Sequence, residues 1–423
     1  MKKIIVRGPS LSRSGYGDHT RDLIRSLISM NKFDITIYDQ PWGGCPRNAL
    51  TTDDTDIYQL FAKKQMTEQP DIWMQITVPN EFNPVGKYNI GITAGIETTQ
   101  AAPQWIEGCN RMDLVIVPSQ HSKYTLERST YDKKERETDE VVEQLKIQNS
   151  IEVLFEGLDT KFFNKTKEIP KTIKETLDVI PEDFCFLYCG HWLDGAMGQD
   201  RKDTGMTISI FLETFKAMAK RNQPALILKT SGAGFSIVEE RRLLDKIEQI
   251  KRNFPNPESL PTIYFLHGDL EKDELNGLYN HPKVKAMVSF TKGEGYGRPL
   301  AEFSITGKPV IASNWSGHVD FLSAYGIMIP GKLGKVHESA VWKDVIMEES
   351  EWFTVDYSYA SGLIKDVHKN YKKYHEKTRK QTQYMKENFT WDSMTKEFEN
   401  ILNENLPSFD YEIPKLEELQ TYE

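Results

Sequence analysis

Ser289-Phe290-Thr291-Lys292-Gly293-Glu294-Gly295-Tyr296-Gly297-Arg298-Pro299-Leu300-Ala301-Glu302 leaves a short apolar run and turns into a helix within a few residues. Pro299 stands in the first helical turn, where a missing N–H costs nothing. Gly293, Gly295 and Gly297 strip Cβ atoms from the loop. Main-chain amides and the positive end of the helix can then face a diphosphate. Glu294 falls in the loop and Glu302 one turn into the helix. Two carboxylates at different depths can each accept from a pair of vicinal hydroxyls. A plain glycine turn before a helix with a salt-bridged Glu is the competing reading. The strand-like Lys308-Pro309-Val310-Ile311-Ala312-Ser313 that follows favours the ligand-binding one.

Outward from this segment, short apolar runs recur along the chain with helical patterns between them. They cover 3–8, 33–39, 72–78, 88–95, 114–119 and 151–157, then 184–190, 225–230, 263–268, 286–291, 309–313 and 327–330. Each is apolar on both faces, as parallel strands covered by helices require. Between them, 22–30 carries Leu23, Ile24, Leu27 and Ile28 on one stripe, and 208–219 carries Ile208, Phe211, Leu212, Phe215 and Met218. Strand–helix alternation twice over predicts an α/β protein of two doubly wound domains. The pattern lapses at 162–170, where the two join. A cleft between the carboxyl ends of the two sheets is the expected ligand site.

Bulk properties set limits. The chain has 423 residues, 39% hydrophobic and 27% charged, enough for two or three domains. No run of about 18 apolar residues exists for a membrane span, and the apolar stretch after Met1-Lys2-Lys3 is too short for a signal peptide, so a cytoplasmic protein is expected. The net charge of −9 repels polyanions at long range. Two charged stretches could still meet an anionic partner or be solvated faces. One is 123–146, with Lys133-Lys134-Glu135-Arg136-Glu137 at its centre; the other is 365–386, with eight lysines and arginines. Cys45, Cys109, Cys185 and Cys189 lack zinc spacing and are expected as reduced thiols. Asp54-Thr55-Asp56 follows a polar run rather than a buried strand, which places it in a surface loop. The nine histidines show no metal-ligand spacing. No metal or other cofactor is expected.

The first loop, Arg7-Gly8-Pro9-Ser10-Leu11-Ser12-Arg13-Ser14-Gly15-Tyr16-Gly17, also follows a strand and opens a helix. Gly15, Tyr16 and Gly17 are therefore candidates for contact with a phosphate-bearing ligand. Glycines that merely make the turn are the even alternative.

Glu294-x7-Glu302, with Gly-Lys-Pro-Val-Ile-Ala-Ser after it, resembles the signature of retaining glycosyltransferases of family 4, which have the GT-B fold. The resemblance extends along the chain in the family's order. Ile96-Glu97-Thr98-Thr99, Pro103-Gln104-Trp105 and Asp113–Ser119 are similar to its acceptor-domain core, and Phe155-Glu156-Gly157-Leu158-Asp159 to the segment closing that domain. Arg201-Lys202-Asp203 resembles the Arg-Lys-Gly that opens the first long donor-domain helix. Asn388-Phe389-Thr390-Trp391-Asp392 resembles the start of the helix that crosses back. The opening loop is also similar to that of glycosyltransferases encoded by T4-like phages.

The resemblance implies an acceptor-side domain over 1–165, a nucleotide-sugar domain over 166–385, and a crossing helix and tail over 386–423. It implies that Glu302 accepts from the nucleotide ribose and Glu294 from the transferred sugar, with the amides of Gly295, Tyr296 and Gly297 facing sugar and diphosphate. Arg201 and Lys202 would neutralise the leaving diphosphate. Lys229, at a strand end, is a further phosphate candidate. Three departures matter. Cys189-Gly190-His191-Trp192 replaces the usual Gly-Arg, so His191 or Arg201 takes the missing arginine's place. Asp203 stands where Gly is usual. Glu97 follows Gly95-Ile96 where many members have His, which makes it either the acceptor's base or a structural carboxylate. The implied reaction moves a sugar from a nucleotide-sugar to a hydroxyl. A hydroxymethylated pyrimidine of DNA, in a host cytoplasm if phage-encoded, or a saccharide or lipid-linked glycan would accept it. A sugar-nucleotide epimerase is the other reading.

Overall fold

The computed structural model describes residues 1–135, 140–193, 195–232 and 235–409. Arg136 and Glu137 of the first charged stretch, Asp194, and the tail from 410 lie outside the described residues.

The first domain has one parallel sheet of β1 (Lys2–Gly8), β2 (Phe33–Asp39), β3 (Ile72–Ile76), β4 (Tyr88–Ile92), β5 (Leu114–Val117) and β8 (Ser150–Val153), in the order β2-β1-β3-β4-β5-β8. An exposed hairpin, β6 (Tyr131–Lys134) with β7 (Val141–Leu145), interrupts it. The second domain has β9 (Cys185–His191), β10 (Ala225–Ser231), β11 (Ile263–Leu266), β12 (Val284–Ser289), β13 (Val310–Ser313) and β14 (Ile327–Ile329), in the order β11-β10-β9-β12-β13-β14. All twelve expected strands are present, and every neighbouring pair is parallel. The architecture is GT-B. Strand order reverses at β1/β3 in one domain and at β9/β12 in the other, and these switch points open crevices at the carboxyl ends.

Two helix starts differ from the expected ones. The first helix spans Gly15–Met30, well before residue 22, because Ser14 caps it by accepting from Gly17 N at 3.1 Å. Its opening turns bury polar His19, Thr20, Arg21 and Asp22, which leave no apolar stripe. The second helix spans Thr204–Phe215. An antiparallel hairpin that the apolar pattern did not announce, β15 (Gly331–Lys335) with β16 (Glu351–Val355), follows the second sheet.

The last helix, Trp391–Asn405, returns to the first domain. Met394, Phe398, Ile401 and Leu402 enter its core beside Leu23, Ile24 and Leu27, and each buried side chain is worth about 1.5–3 kcal/mol. Leu158 N to Phe389 O (2.9 Å) and Trp391 N to Leu158 O (2.8 Å) fix the crossing. Among the described residues no helix is long and apolar enough to cross a membrane.

Candidate active site

Loops at the carboxyl ends of the two sheets meet at one domain contact. Four side chains from three loops converge there. Lys202 Nζ lies 2.5 Å from Glu294 Oε1, and Arg201 Nη1 lies 3.5 Å from Glu294 Oε2. The same Arg201 nitrogen donates to Gly293 O at 3.0 Å and stands 3.6 Å from Glu97 Oε1 of the first domain. Burial alone pushes the Glu294 carboxyl up, but Lys202 and Arg201 outweigh it and hold the group down to about 2. Glu294 is therefore ionised at every working pH.

Backbone geometry fixes this group. Glu294 N donates to Ser316 Oγ at 2.9 Å and Gly317 N to Glu294 O at 2.9 Å. Lys292 N donates to Arg201 O at 2.8 Å, which binds the two loops together. Asp203 has φ +51°, the left-handed conformation in which glycine is ordinary. Here an Asp takes it, secured by Tyr357 Oη at 2.6 Å and Lys292 Nζ at 3.6 Å. That accounts for a residue other than Gly after Arg201-Lys202.

The glycine loop does more than clear space for a ligand. A Cβ on Gly293 would lie 1.9 Å from Glu97 O, and one on Gly295 would lie 1.9 Å from Ala94 O. These two glycines let the second domain's loop seat against the backbone of the first. Gly297, at φ +100°, caps the helix Arg298–Ser304.

Glu302 sits on that helix, buried beside Glu294's loop. One oxygen accepts from Tyr279 Oη at 3.0 Å, and the other lies 3.8 Å from Arg298 Nε. Burial raises its carboxyl to about 7, with Arg298 only partly offsetting the effect. The two carboxylates of one helix–loop unit are thus pushed far apart by their surroundings.

The remaining candidates are placed as follows. Tyr16 Oη pairs with Thr93 Oγ1 at 2.9 Å and accepts from Ala94 N at 3.1 Å, which braces the loop facing Gly295. A Cβ on Gly17 would meet Ser12 O at 2.1 Å, so Gly17 makes the turn, whereas Gly15 faces open space. Lys229 Nζ donates to Gly268 O at 2.6 Å. His191, at the end of β9, pairs with Ser231 Oγ at 3.3 Å; it is Arg201 that joins Glu294. Asp54 and Asp56 both pair with Arg25, and where a loop was expected a one-turn helix, Thr55–Tyr58, starts at Asp54. Among the described residues no three His, Cys, Asp or Glu side chains gather as a metal site. All four cysteines are free.

Sequence reasoning missed the charge bridge beneath the site. Arg298 Nη1 contacts Asp22 Oδ2 at 3.0 Å and Glu156 Oε2 at 3.1 Å, both in the first domain. Separations of 276 and 142 residues left no local signal. It also missed His318, whose Nδ1 is buried without a protein partner, and the Oη of Tyr296, a residue expected only through its amide, which is buried in the same way. His318 is fully buried within the electrostatic reach of Glu294. Such atoms call for a ligand or water as partner.

No family model matches this chain, and no curated protein matches it. Solved structures do match over nearly the whole length. Anabaena HepE in complex with UDP-glucose is 12% identical, with 96% of this chain and 100% of that one covered and a TM-score of 0.62. Sucrose-phosphate synthase from Thermosynechococcus elongatus is 12% identical over 96% and 99% of the chains, with a TM-score of 0.61. A glycosyltransferase from Rickettsia africae is 12% identical over 96% and 99%, with a TM-score of 0.59. At this identity the likeness is one of fold.

Proposed function

We propose that this chain is a retaining glycosyltransferase that moves a sugar from a nucleotide-sugar to an acceptor hydroxyl. The observation that carries this reading is the convergence of Arg201, Lys202 and Glu294 with Glu97 across the domain contact. As the bond from the sugar's anomeric carbon to the diphosphate breaks, negative charge grows on the leaving oxygen. Arg201 and Lys202 are fixed cations for that charge. Held between these cations, the ionised Glu294 keeps further lone pairs with which to accept from the sugar's hydroxyls. Glu97 faces them from the first domain, where it can take the proton of the incoming hydroxyl as the new bond forms. Likeness to a fold that holds UDP-glucose in Anabaena HepE makes UDP-glucose the first donor to try.

The cations supply the charge that a metal supplies elsewhere, so turnover persists in excess chelator. Loss of activity in chelator, with rescue by magnesium or manganese, would contradict this.

The ribose contact gives a pH signature. Glu302 must be ionised to accept from both ribose hydroxyls, and its carboxyl lies at about 7. Donor affinity therefore falls as pH drops through 7, by roughly 10-fold between pH 8 and pH 6. Glu302→Gln flattens the profile and Glu302→Ala weakens donor use by at least ~10-fold. Titration calorimetry with the intact nucleotide-sugar measures both. An unchanged profile in Glu302→Gln would remove the assignment.

For the acceptor, the placement of cations favours a saccharide hydroxyl over a base in DNA. Tyr371, within the basic stretch 365–386, donates to Lys285 O near the start of β12, at the end of the sheet away from the cleft. Arg13 and Arg47, near the first loop, are paired with Asp269, Glu271 and Asp39. Labelled donor should be offered with free saccharides, hydroxymethylcytosine-containing DNA and unmodified DNA. Transfer to saccharides without salt-sensitive DNA binding supports the reading. Transfer confined to hydroxymethylated DNA would overturn the acceptor, and none from any nucleotide-sugar would overturn the whole.

A further inference from the structure

We infer that the hairpin β15–β16 is a positioning arm that holds Glu97 in register with Arg201 and Glu294, an inference that rests on the reaction proposed above. The arm belongs to the second domain but grips both halves of the site. On one side, Thr99 N donates to Glu351 O at 2.9 Å and Glu351 N donates to Thr99 Oγ1 at 2.9 Å, two residues beyond Glu97. On the other, Phe353 N donates to Lys292 O at 3.0 Å and Lys292 Nζ to Thr354 Oγ1 at 2.9 Å, two residues before Glu294. One five-residue strand thus fixes the chain on either side of the Glu97–Arg201–Glu294 contact.

The arm can do this because it is packed against both domains. Trp352, 1% exposed, packs with Val336, Ile346 and Trp315 into a small core of its own. Val345 and Met347, from the arm's connecting segment, pack against the first domain's cluster that includes Ile96 and Ala101. Trp315 stacks on Phe353 with ring centroids 6.3 Å apart, and its other neighbour is His121 of the first domain at 4.6 Å. Trp315 directly precedes Ser316, the acceptor for Glu294 N. The aromatic row Phe353–Trp315–His121 therefore runs beside the same contact.

The bonds of Thr99 go to Glu351 and not to the four site side chains, which makes it a clean probe. Thr99→Val keeps its shape and leaves Glu351 N without an acceptor; Thr99→Ser restores the acceptor. Turnover in Thr99→Val should fall about 10-fold, on the order of the cost of one orphaned, partly buried donor. The dissociation constant for UDP should stay within about twofold, because the donor's grip lies in the second domain. Thr99→Ser should recover most of the turnover, and amide hydrogen exchange over 94–99 should rise in Thr99→Val alone. Full turnover in Thr99→Val, an equal loss of UDP affinity, or no recovery in Thr99→Ser would overturn the arm's role. If the wild-type protein transfers no sugar, the proposed function fails, and exchange over 94–99 decides the arm by itself: unchanged protection in Thr99→Val overturns it.

Discussion

Lys202→Met lowers the turnover number for sugar transfer by about 10²-fold while leaving the fold intact. The substitution keeps the side chain's bulk and removes only its charge. Lys202 Nζ is the nearest cation to Glu294, at 2.5 Å, and the pair is buried where water screens little. The loss falls mainly on turnover, because charge on the leaving diphosphate is greatest in the transition state. A second effect accompanies it. With Lys202 gone, Arg201 at 3.5 Å is the cation left to hold Glu294 below its ordinary value. The Glu294 carboxyl then rises, and the acid limb of the rate moves to higher pH than in the wild-type enzyme. Steady-state rates from pH 5 to pH 8 at saturating donor measure both. Turnover within about threefold of wild type would remove Lys202 from the chemistry.

Arg298→Met destabilises the protein by about 3–5 kcal/mol. Asp22 and Glu156 from the first domain both lean on this guanidinium, and neither is more than a tenth exposed in its side chain. Without it, two carboxylates face each other beside Glu302 with no cation between them. Such a deletion is far costlier than replacing the whole group with apolar residues. The melting temperature should fall by roughly 3–6 °C in calorimetry. Asp22→Asn and Glu156→Gln together, in the Arg298→Met background, should recover a substantial part by discharging the orphaned acids. A fall of less than about 2 °C, or no recovery, would mean that the domains are held by other contacts.

The sheets were legible because parallel strands buried on both faces write themselves as apolar runs, as Cys185–His191 and Val284–Ser289 do. The Glu294–Glu302 unit was legible because strand, glycine loop and helix are contiguous. What could not be read depends on distant residues. Arg298 gives no sign of meeting Asp22 and Glu156, and nothing about Thr99 points to Glu351. The arm escaped notice because Gly331-Lys332-Leu333-Gly334-Lys335 is mostly exposed and lacks an apolar run. Buried polar residues, His19 to Asp22, hid the start of the first helix: Arg21 donates to Ser10 O and Ser12 O of the first loop, and Asp22 meets Arg298 of the second domain. The glycines at 293 and 295 were seen, but as room for a ligand; the first domain's backbone fills the place of their missing side chains.

The most direct test of the account is proton NMR of the product formed from UDP-α-glucose and an accepting saccharide. An α-linked glycoside should form in step with UDP release. A β-linked product would contradict retention. Conversion of the donor sugar without any new glycosidic bond would contradict transfer itself.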